Sequence, residues 1–456
     1  MKQLVLLSLS LLAASPLAAN NADDTETTAS DCSAAYQQFS FDLYTNIENY
    51  CTETLGSMNV VVSPLSAWIA LGMLQQGANN STLHGINKVL CLPEDFRGLA
   101  LYNSQLIDDL LKPCYWDDWE NEKAKPVLEL ANSFWADDAI TCLDLYKDTL
   151  SLCYSADYSQ LDLALPASMD AVDAWVNEKT HGTIPSLKIM PSDELMMLLV
   201  NALYFKAGWE TPADSTQTTE MPFHTYSGEV KNVPMMYFEG HMNCMEIDGF
   251  LVLRLWFGVD HTFSMTFFVP QDDATFDSSI YTQAKQTLDQ YYKHIILRLP
   301  RFTTDAEIVM NKTLQEMGMS EAFMSGADFS GMSNDALSVS LVKQLTHIAV
   351  DEKGVVASAA TVIAMENSLE PVPEPEYVTI DRPFYFSIED NQTDKLLFLG
   401  HIIDIEEDSQ NPDHLNTIES TCPNVIYDMM GHRQSSLVPG INIVHQSGKS
   451  RLVFVK

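Results

Sequence analysis

The most informative pattern of apolar and polar residues in this chain lies between residues 350 and 370. From Val355 to Met365 there is no charged residue, although the chain has 62 acidic and 25 basic residues. Both alternating sets of side chains in this stretch are small or apolar, which is typical of a strand in the middle of a sheet. Residues 366–370 are mostly polar, and the three prolines between 371 and 375 cannot continue a central strand. The pattern predicts a strand-competent segment that leads into an exposed, stiff loop.

Periodic patterns elsewhere predict both helices and strands. Residues 34–50 have apolar side chains at helical spacing, with aromatic and leucine residues on one broad face. A short strand at 59–62 leads into a helix over 67–77, for which Ser66 is a plausible cap. Residues 174–185 predict a helix that contains residue 174 and is ended by Gly182 and Pro185. Strands are predicted at 125–138, at 198–210 and within 250–270.

The order of these motifs resembles that of the serpins, a family of protease inhibitors. The resemblance covers roughly residues 36–405 and implies an α+β fold, with helices around a large central, mainly antiparallel sheet, smaller sheets and an exposed reactive loop at 352–377. The matching segments are the hinge 351–354, the small-residue stretch 355–360, the signature 381–386, and motifs at 59–66, 174–185, 198–210, 223–236 and 327–331.

The resemblance implies a mechanism in which strand insertion stops a protease. The protease cuts the loop, and the freed loop enters the main sheet as an extra strand and carries the acylated protease with it. The hinge residues implied are Glu352, Gly354, Val355, Val356, Ala357, Ser358, Ala359 and Ala360. Gly354 supplies backbone freedom, and the residues after it are small or β-branched. A charged residue or proline in place of Val355 would argue against inhibition. The alternative to an inserting hinge is that residues 355–364 form an ordinary buried strand.

The resemblance also assigns roles to five residues where the sheet would open. Ser63, Ser66, Asn201 and Gln344 would form a polar cluster beneath the opening, and Trp209 would cover its top. From the sequence alone, the serines are also explained by capping and turn formation, and Trp209 by ordinary packing. The family usually has His at position 344. Gln can donate and accept hydrogen bonds but gains no charge in mild acid, so pH-dependent opening through that histidine is in doubt here.

The bond that a protease would cut is predicted by counting from the hinge. Serpins usually place seventeen residues from the hinge Glu up to the cut, which from Glu352 gives the bond between Ser368 and Leu369. A register one residue shorter gives the bond between Asn367 and Ser368. The extra prolines after this region leave both registers open.

The absence of basic residues restricts which protease the loop fits. No Lys or Arg lies between Lys353 and Arg382, and a trypsin-like pocket needs a cation for its acidic residue. We expect a target that is not trypsin-like. A small residue at the cut favours elastase-like or subtilisin-like proteases, and cutting after Met365 or Leu369 would favour chymotrypsin-like or papain-like ones.

Both ends of the chain predict export. Residues 1–19 read as a secretory signal, with a positive start, an apolar core and a small-residue cleavage site. Residues 20–35 are polar and acidic, and we expect a flexible leader. Residues 406–456 combine an acidic linker with two or three short predicted strands. They resemble the C-terminal sorting-type tails of exported Bacteroidetes proteins; a small β-rich addition without a sorting role is the alternative. We expect a secreted or cell-surface protein.

Composition excludes several other functions. A net charge of −37 argues against binding nucleic acid through its phosphates. The eight cysteines show no metal-ligand spacing, no stretch predicts a membrane span, and no hydrolase, metalloprotease or nucleotide-binding motif is present. We expect a monomer that needs no metal or cofactor and is not an enzyme. The alternative to inhibition is a non-inhibitory serpin that acts as a binding or carrier protein.

Overall fold

The computed structural model describes residues 22–55, 58–112, 126–271, 274–355 and 374–405, and four strands between 425 and 455. The chain divides into two compact units, Met1–Glu406 and Glu407–Lys456. In the described part of the chain, no helix combines the length and hydropathy that crossing a membrane requires.

Eight α-helices are described in the larger unit. They are α1 Ala22–Tyr50, α2 Pro64–Gly77, α3 Asn80–Val89, α4 Leu99–Leu110, α5 Asp144–Tyr154, α6 Pro166–Lys179, α7 Ser278–Thr287 and the short α8 Asn311–Leu314. The helix predicted through residue 174 is α6, whose last residue lies three positions before Gly182.

Fifteen strands are described in the same unit. They are β1 Val60–Val62, β2 Val127–Asp137, β3 Ala156–Leu161, β4 Met197–Gly208, β5 Thr219–His224, β6 Val230–Ile247, β7 Phe250–Phe257, β8 Phe263–Pro270, β9 Tyr292–Pro300, β10 Phe302–Val309, β11 Lys343–Asp351, β12 Gly354–Val355, β13 Glu376–Thr379, β14 Phe384–Asp390 and β15 Lys395–Ile402. The strands predicted at 59–62, 125–138, 198–210 and within 250–270 are confirmed as β1, β2, β4 and the pair β7–β8.

These strands form two sheets. The nine-stranded sheet has the order β1-β15-β14-β8-β7-β6-β9-β13, with β5 also paired to β6, and the six-stranded sheet has the order β10-β11-β12-β4-β2-β3. All pairs are antiparallel except β13 with β9 and β2 with β3. Helices around mainly antiparallel sheets make this the predicted α+β class.

The six-stranded sheet separates two apolar clusters because side chains alternate along its strands. Phe205 and Ala207 of β4 belong to the main core, which also contains side chains of α1, α2 and the nine-stranded sheet. Leu198 and Val200, on the opposite face of β4, pack in a smaller cluster with Val176 of α6. Any strand placed beside β4 must therefore present apolar groups to both faces.

The described part of the predicted leader is helical: α1 starts at Ala22, and Cys32 is completely buried. One expectation about local structure was wrong. The cap of α2 is Ser63 and not Ser66: Ser63 has extended backbone and its hydroxyl accepts a hydrogen bond from the Ser66 amide, at 3.2 Å. Pro64 decides this, because its fixed φ suits the first position of a helix and it has no amide hydrogen to satisfy.

The described part of the smaller unit is a four-stranded antiparallel sheet. Its strands are β16 Val425–Asp428, β17 Arg433–Gln434, β18 Gly440–Gln446 and β19 Lys449–Val455, in the order β17-β16-β18-β19. The sequence predicted two or three strands here. The additional one, β17, has only two residues, Arg433 and Gln434.

Candidate functional site

The six-stranded sheet is incomplete between β4 and β11. β12 fills only one end of this position, where its two residues pair antiparallel with the last residues of both strands. At the other end, an isolated parallel bridge joins Leu198 to Leu341. Between these points, no ladder among the described residues joins residues 199–206 of β4 to residues 343–349 of β11. We call this position the sheet gap.

A tight turn delivers β12 into the sheet gap. The Asp351 carboxylate accepts hydrogen bonds from the amides of Lys353, at 2.8 Å, and Gly354, at 3.1 Å, which fixes the reversal of the chain. Gly354 has φ +148°, and a Cβ there would lie 2.0 Å from the Ala207 carbonyl oxygen. Only glycine fits this position without displacing β4. Val355 follows with its side chain fully buried in the main core.

Glu352 fastens this turn to neighbouring strands. Its carboxylate forms an ion pair with Arg301 and accepts a hydrogen bond from the Thr218 hydroxyl at 2.8 Å. Its backbone carbonyl accepts from the Ala213 amide at 2.8 Å. Burial alone would raise the pKa of Glu352, but the hydrogen bonds from Arg301 and Thr218 outweigh burial and lower it. The carboxylate is therefore held in its charged form beside the guanidinium.

Trp209 lies at the end of the sheet gap that β12 fills. Its ring stacks on Phe257 with centroids 4.5 Å apart and planes 11° apart. Its indole nitrogen donates to the Asp351 carbonyl at 2.9 Å, and its backbone amide donates to the Lys353 carbonyl at 2.8 Å. Trp209 is only 4% exposed. The residue thus holds the turn from both main chain and side chain, which is compatible with either a packing or a gating role.

Beneath the sheet gap, Gln344 is paired with the main chain of Ser63. The Gln344 side-chain oxygen accepts from the Ser63 amide, and its nitrogen donates to the Ser63 carbonyl, both at 2.9 Å. Gln344 is buried, and both ends of its amide are satisfied. This joins β11 to the start of α2 through a neutral group.

Asn201 forms a second, separate polar pair. Its side-chain nitrogen donates to the Asn132 side-chain oxygen, and the Asn132 nitrogen donates to the Tyr154 carbonyl at 2.7 Å. The Asn201 side-chain oxygen is buried and has no hydrogen-bond partner, a state that costs roughly 1–3 kcal/mol. Asn201, Ser66 and Gln344 line the same small cavity of about 20 Å³ beneath the sheet gap. The predicted single cluster is thus two pairs, and one residue of each pair lines this cavity.

The predicted reactive bond lies outside the described residues. This applies to Ser368–Leu369, to its alternative at Asn367, and to the hinge residues Val356, Ala357, Ser358, Ala359 and Ala360. The chain is described again from residue 374, and β13 starts at Glu376, one residue before the predicted end of the loop.

The described residues contain no group of three His, Cys, Asp or Glu side chains placed to hold a metal ion. Six cysteines are described, at positions 32, 51, 91, 142, 153 and 244, and no disulfide joins any two of them. Burial raises the pKa of Cys244 to about 11, and the thiols of Cys32 and Cys91 to about 12, so these groups stay protonated.

Sequence reasoning missed the residues that fasten the hinge from a distance. Arg301 and Thr218 lie 51 and 134 positions before Glu352. Asn132, the partner of Asn201, lies on the neighbouring strand β2 directly opposite it. A polar residue inside each of two predicted central strands was the one available signal, because buried amides seek partners.

A sequence profile described as Serpin (serine protease inhibitor) matches residues 34–405. Among curated proteins, the chain is 28% identical over 362 residues to Iripin-2 of Ixodes ricinus, covering 75% of this chain and 87% of that protein. It is 30% identical over 364 residues to Iripin-8 of the same species, again covering 75% and 87%. Serpin-Z10 of Arabidopsis thaliana is 29% identical over 367 residues, with 76% and 91% covered.

Two solved structures show the same fold. The native state of the thermophilic serpin tengpin matches with a TM-score of 0.69 and 28% identity, covering 86% of this chain and 97% of that one. Thyroxine-binding globulin in complex with thyroxine matches with a TM-score of 0.70 and 23% identity, covering 82% and 99%. The predicted serpin fold is therefore confirmed. The second match shows that the same fold also serves a protein that binds a small molecule.

Proposed function

The chain belongs to the serpin family, and we propose that it is a suicide-substrate inhibitor of a protease that lacks trypsin-like specificity. The target protease cuts the reactive loop, the cut loop enters the sheet gap as an extra strand, and the acylated protease is distorted before it can hydrolyse the ester. The observation that carries this proposal is β12, which occupies the first two positions of such a strand between β4 and β11.

The two ladders of β12 support insertion because they agree on its register. Gly354 pairs with Gly208 on one side and with Asp351 on the other. Each further residue of an inserted strand would move one position back along both β4 and β11. Ten steps on, residue 364 would face Leu198 and Leu341, the two residues that the isolated bridge joins. The sheet gap therefore accepts residues 356–363 without a register conflict.

The same register explains the unsatisfied oxygen beneath the sheet gap. Seven steps after Gly354, Thr361 would face Asn201 and Gln344 together. Its hydroxyl can donate to the Asn201 side-chain oxygen, which has no partner in the uncleaved protein. Insertion would thus satisfy a buried acceptor as well as the main chain of both neighbouring strands.

The partner in this proposal is a protease whose specificity pocket takes a small or apolar side chain. The bond cut is Ser368–Leu369, with Asn367–Ser368 as the alternative. Elastase-like, subtilisin-like and chymotrypsin-like proteases fit this region, and papain-like proteases fit if the cut follows an apolar residue. The inhibitor acts as a monomer and needs no cofactor.

The test is to incubate the purified protein with elastase, chymotrypsin, subtilisin and papain. We expect a protease complex that survives SDS, and mass spectrometry should place the cut within residues 364–370. The loop-cleaved protein should melt higher than the intact one, because the inserted strand adds main-chain hydrogen bonds to both β4 and β11.

A matched pair of variants separates insertion from loop recognition. Thr361→Arg places a charge beside Asn201 and Gln344 and should convert the inhibitor into a substrate that is cut without forming a complex. Glu374→Arg places the same side chain at an exposed position beyond the sheet gap and should leave inhibition intact. If cleavage raises the melting temperature of neither the parent protein nor the Glu374→Arg variant, and neither forms a complex, the carrier function replaces the inhibitor function.

We further propose that the protein is exported through its N-terminal signal, and that the smaller unit is a sorting-type tail. Support comes from the sequence of residues 1–19 and from the separation of Glu407–Lys456 as a compact β-rich unit. Fractionation of cells that express the chain, with and without residues 407–456, tests both points. A protein found in the cytoplasm would contradict export, and unchanged surface location without the tail would contradict sorting.

A further inference from the structure

A pocket of about 520 Å³ lies between α3 and the turn that follows α8. Its volume is within the range of about 300–1,000 Å³ that is typical of ligand pockets. One wall is a single face of α3, because Ser81, His84, Gly85 and Lys88 recur at intervals of three or four residues. We call it the α3 pocket; its polar and glycine lining includes Ser81, Lys88, Glu94, Gly318, Ser320 and Glu321. It shares no residue with the cavity beneath the sheet gap.

Two glycines allow the walls of the α3 pocket to approach each other closely. A Cβ on Gly85 would lie 3.2 Å from the Gly318 carbonyl oxygen. Gly318 has φ +133°, and a Cβ there would lie 2.8 Å from the Lys88 Cδ. A side chain at either position would therefore push α3 and the turn apart. The aliphatic part of Lys88 lies across Gly318, and its ammonium borders the pocket.

The charged groups of the α3 pocket do not pair with one another. Lys88 contributes an ammonium, and Glu94 and Glu321 contribute carboxylates. Within the described ranges, these three side chains form no ion pair, so the opposite charges lie beyond ion-pair distance of each other. His84 differs, because its Nε2 lies 2.9 Å from the Asp95 carboxylate. Lys88, Glu94 and Glu321 are all exposed, so a ligand can reach them without displacing any part of the fold.

One positive and two negative groups around one pocket are complementary to a small molecule with the reverse set. A ligand carboxylate can accept hydrogen bonds from the Lys88 ammonium, and two ligand cations can donate to Glu94 and Glu321. Such charge-assisted hydrogen bonds are stronger than neutral ones. The hydroxyls of Ser81 and Ser320 can donate or accept beside them. Free lysine and arginine carry two cationic groups and one carboxylate, whereas glutamate carries one cationic group and two carboxylates.

We propose that the α3 pocket binds a free basic amino acid, with its carboxylate on Lys88 and its two cationic groups on Glu94 and Glu321. The bound molecule joins α3 to the turn at 318–321 and stabilises the folded protein by mass action. Binding requires neither the reactive loop nor a protease, so the site is independent of the proposed inhibitor function.

The test is isothermal titration calorimetry of the full chain with lysine, with cadaverine, which is lysine without its carboxylate, and with glutamate. We expect lysine to bind saturably and about tenfold more tightly than cadaverine, because cadaverine lacks the contact with Lys88. Glutamate should not bind saturably. In a chain of net charge −37, non-specific attraction would favour cadaverine, which has no negative group. A preference for lysine over cadaverine therefore identifies a built site.

Three variants assign the contacts. Lys88→Gln should weaken lysine binding about tenfold without weakening cadaverine binding, since only lysine has a carboxylate. Glu321→Gln should weaken both ligands, because both use a cation there. Lys112→Gln is the matched control: it removes an exposed lysine two residues after α4 and should change the binding of either ligand less than twofold. A misfolded variant would lose both ligands together, so the selective loss in Lys88→Gln cannot arise from unfolding.

The proposal is overturned if lysine shows no saturable binding, or if cadaverine or glutamate binds as tightly as lysine. It is also overturned if Lys88→Gln weakens lysine and cadaverine to the same extent, or if Lys112→Gln weakens lysine binding as much as Lys88→Gln does. None of these results bears on protease inhibition, which is measured separately by the yield of SDS-stable complex.

Discussion

Replacing Val355 with Glu tests whether the first inserted position controls the hinge. The Val355 side chain is fully buried, which stabilises β12 by about 1.5–3 kcal/mol. A carboxylate kept charged there, against a pKa raised by about 3–5 units at 1.36 kcal/mol per unit, costs roughly 4–7 kcal/mol. Protonating it instead at pH 7, from an ordinary pKa of about 4.3, costs about 4 kcal/mol. Since β12 pairs at only two residues on each side, the penalty exceeds what holds it, and the hinge should leave the sheet.

The rest of the fold should survive this change. The ladder between β10 and β11 has eight residue pairs, and the ladder between β2 and β4 has ten, and neither involves Val355. We therefore expect the intact variant to melt within a few degrees of the parent. After loop cleavage, the variant should show no rise in melting temperature, because the cut loop cannot begin to insert at the hinge.

The assay is differential scanning fluorimetry of intact and cleaved forms, together with the yield of SDS-stable protease complex. Lys353→Glu is the matched control, because it adds a carboxylate two residues earlier in an exposed turn. The control should keep both the complex and the rise on cleavage. A Val355→Glu protein that still forms the complex in parental yield, and still melts higher once cut, would refute the reasoning about the hinge.

Three other changes probe the same end of the sheet gap. Gly354→Ala should also displace β12, since its Cβ would lie 2.0 Å from a carbonyl oxygen of β4; hydrogen exchange should show loss of protection in the hinge amides. Trp209→Phe keeps a ring that can stack on Phe257 but loses the indole hydrogen bond at 2.9 Å, so it should destabilise by about 1 kcal/mol, measured by urea unfolding; a loss above 3 kcal/mol would show that packing is disrupted as well. The lowered pKa of Glu352 means that its ion pair with Arg301 stabilises the fold fully above its unfolded pKa of about 4.3. That stability is lost as the pH falls through the lower folded pKa, and Glu352→Gln should remove this acid dependence from the melting temperature.

The sequence predicts the elements of this fold where local patterns decide them. The strands β2 and β4 follow from apolar runs with ordinary boundaries, and the hinge follows from Gly354 and the small residues after it. Ser66 was wrongly chosen as a cap because the preference for serine is local, while Pro64 fixes where α2 begins. The helical character of residues 22–35 was missed because their composition is mostly polar, although Cys32 within them is completely buried.

The contacts that fasten the hinge could not be predicted because no local pattern encodes them. Arg301 follows β9 and reaches Glu352 only because β10 and β11 pair in one particular register. Gln344 bonds to both main-chain groups of Ser63 across 281 positions. The edge strand β13 is similar: it pairs in parallel with β9, and its four residues do not reveal that pairing from the sequence.

The absence of charge between Val355 and Met365 follows from the energetics of the sheet gap. Inserting the eight residues 356–363 would form roughly sixteen main-chain hydrogen bonds, worth about 1 kcal/mol each, while ordering those residues costs about 1–2 kcal/mol each. The main-chain terms therefore nearly cancel or leave a modest gain, and the side chains decide the outcome. One set, including Thr361 and Ile363, would face the main core, and the other would face the cluster beneath α6. A single lysine in either set would add a penalty of several kcal/mol, enough to cancel the gain. An uncharged stretch of this length is what a strand that must enter a sheet buried on both faces requires.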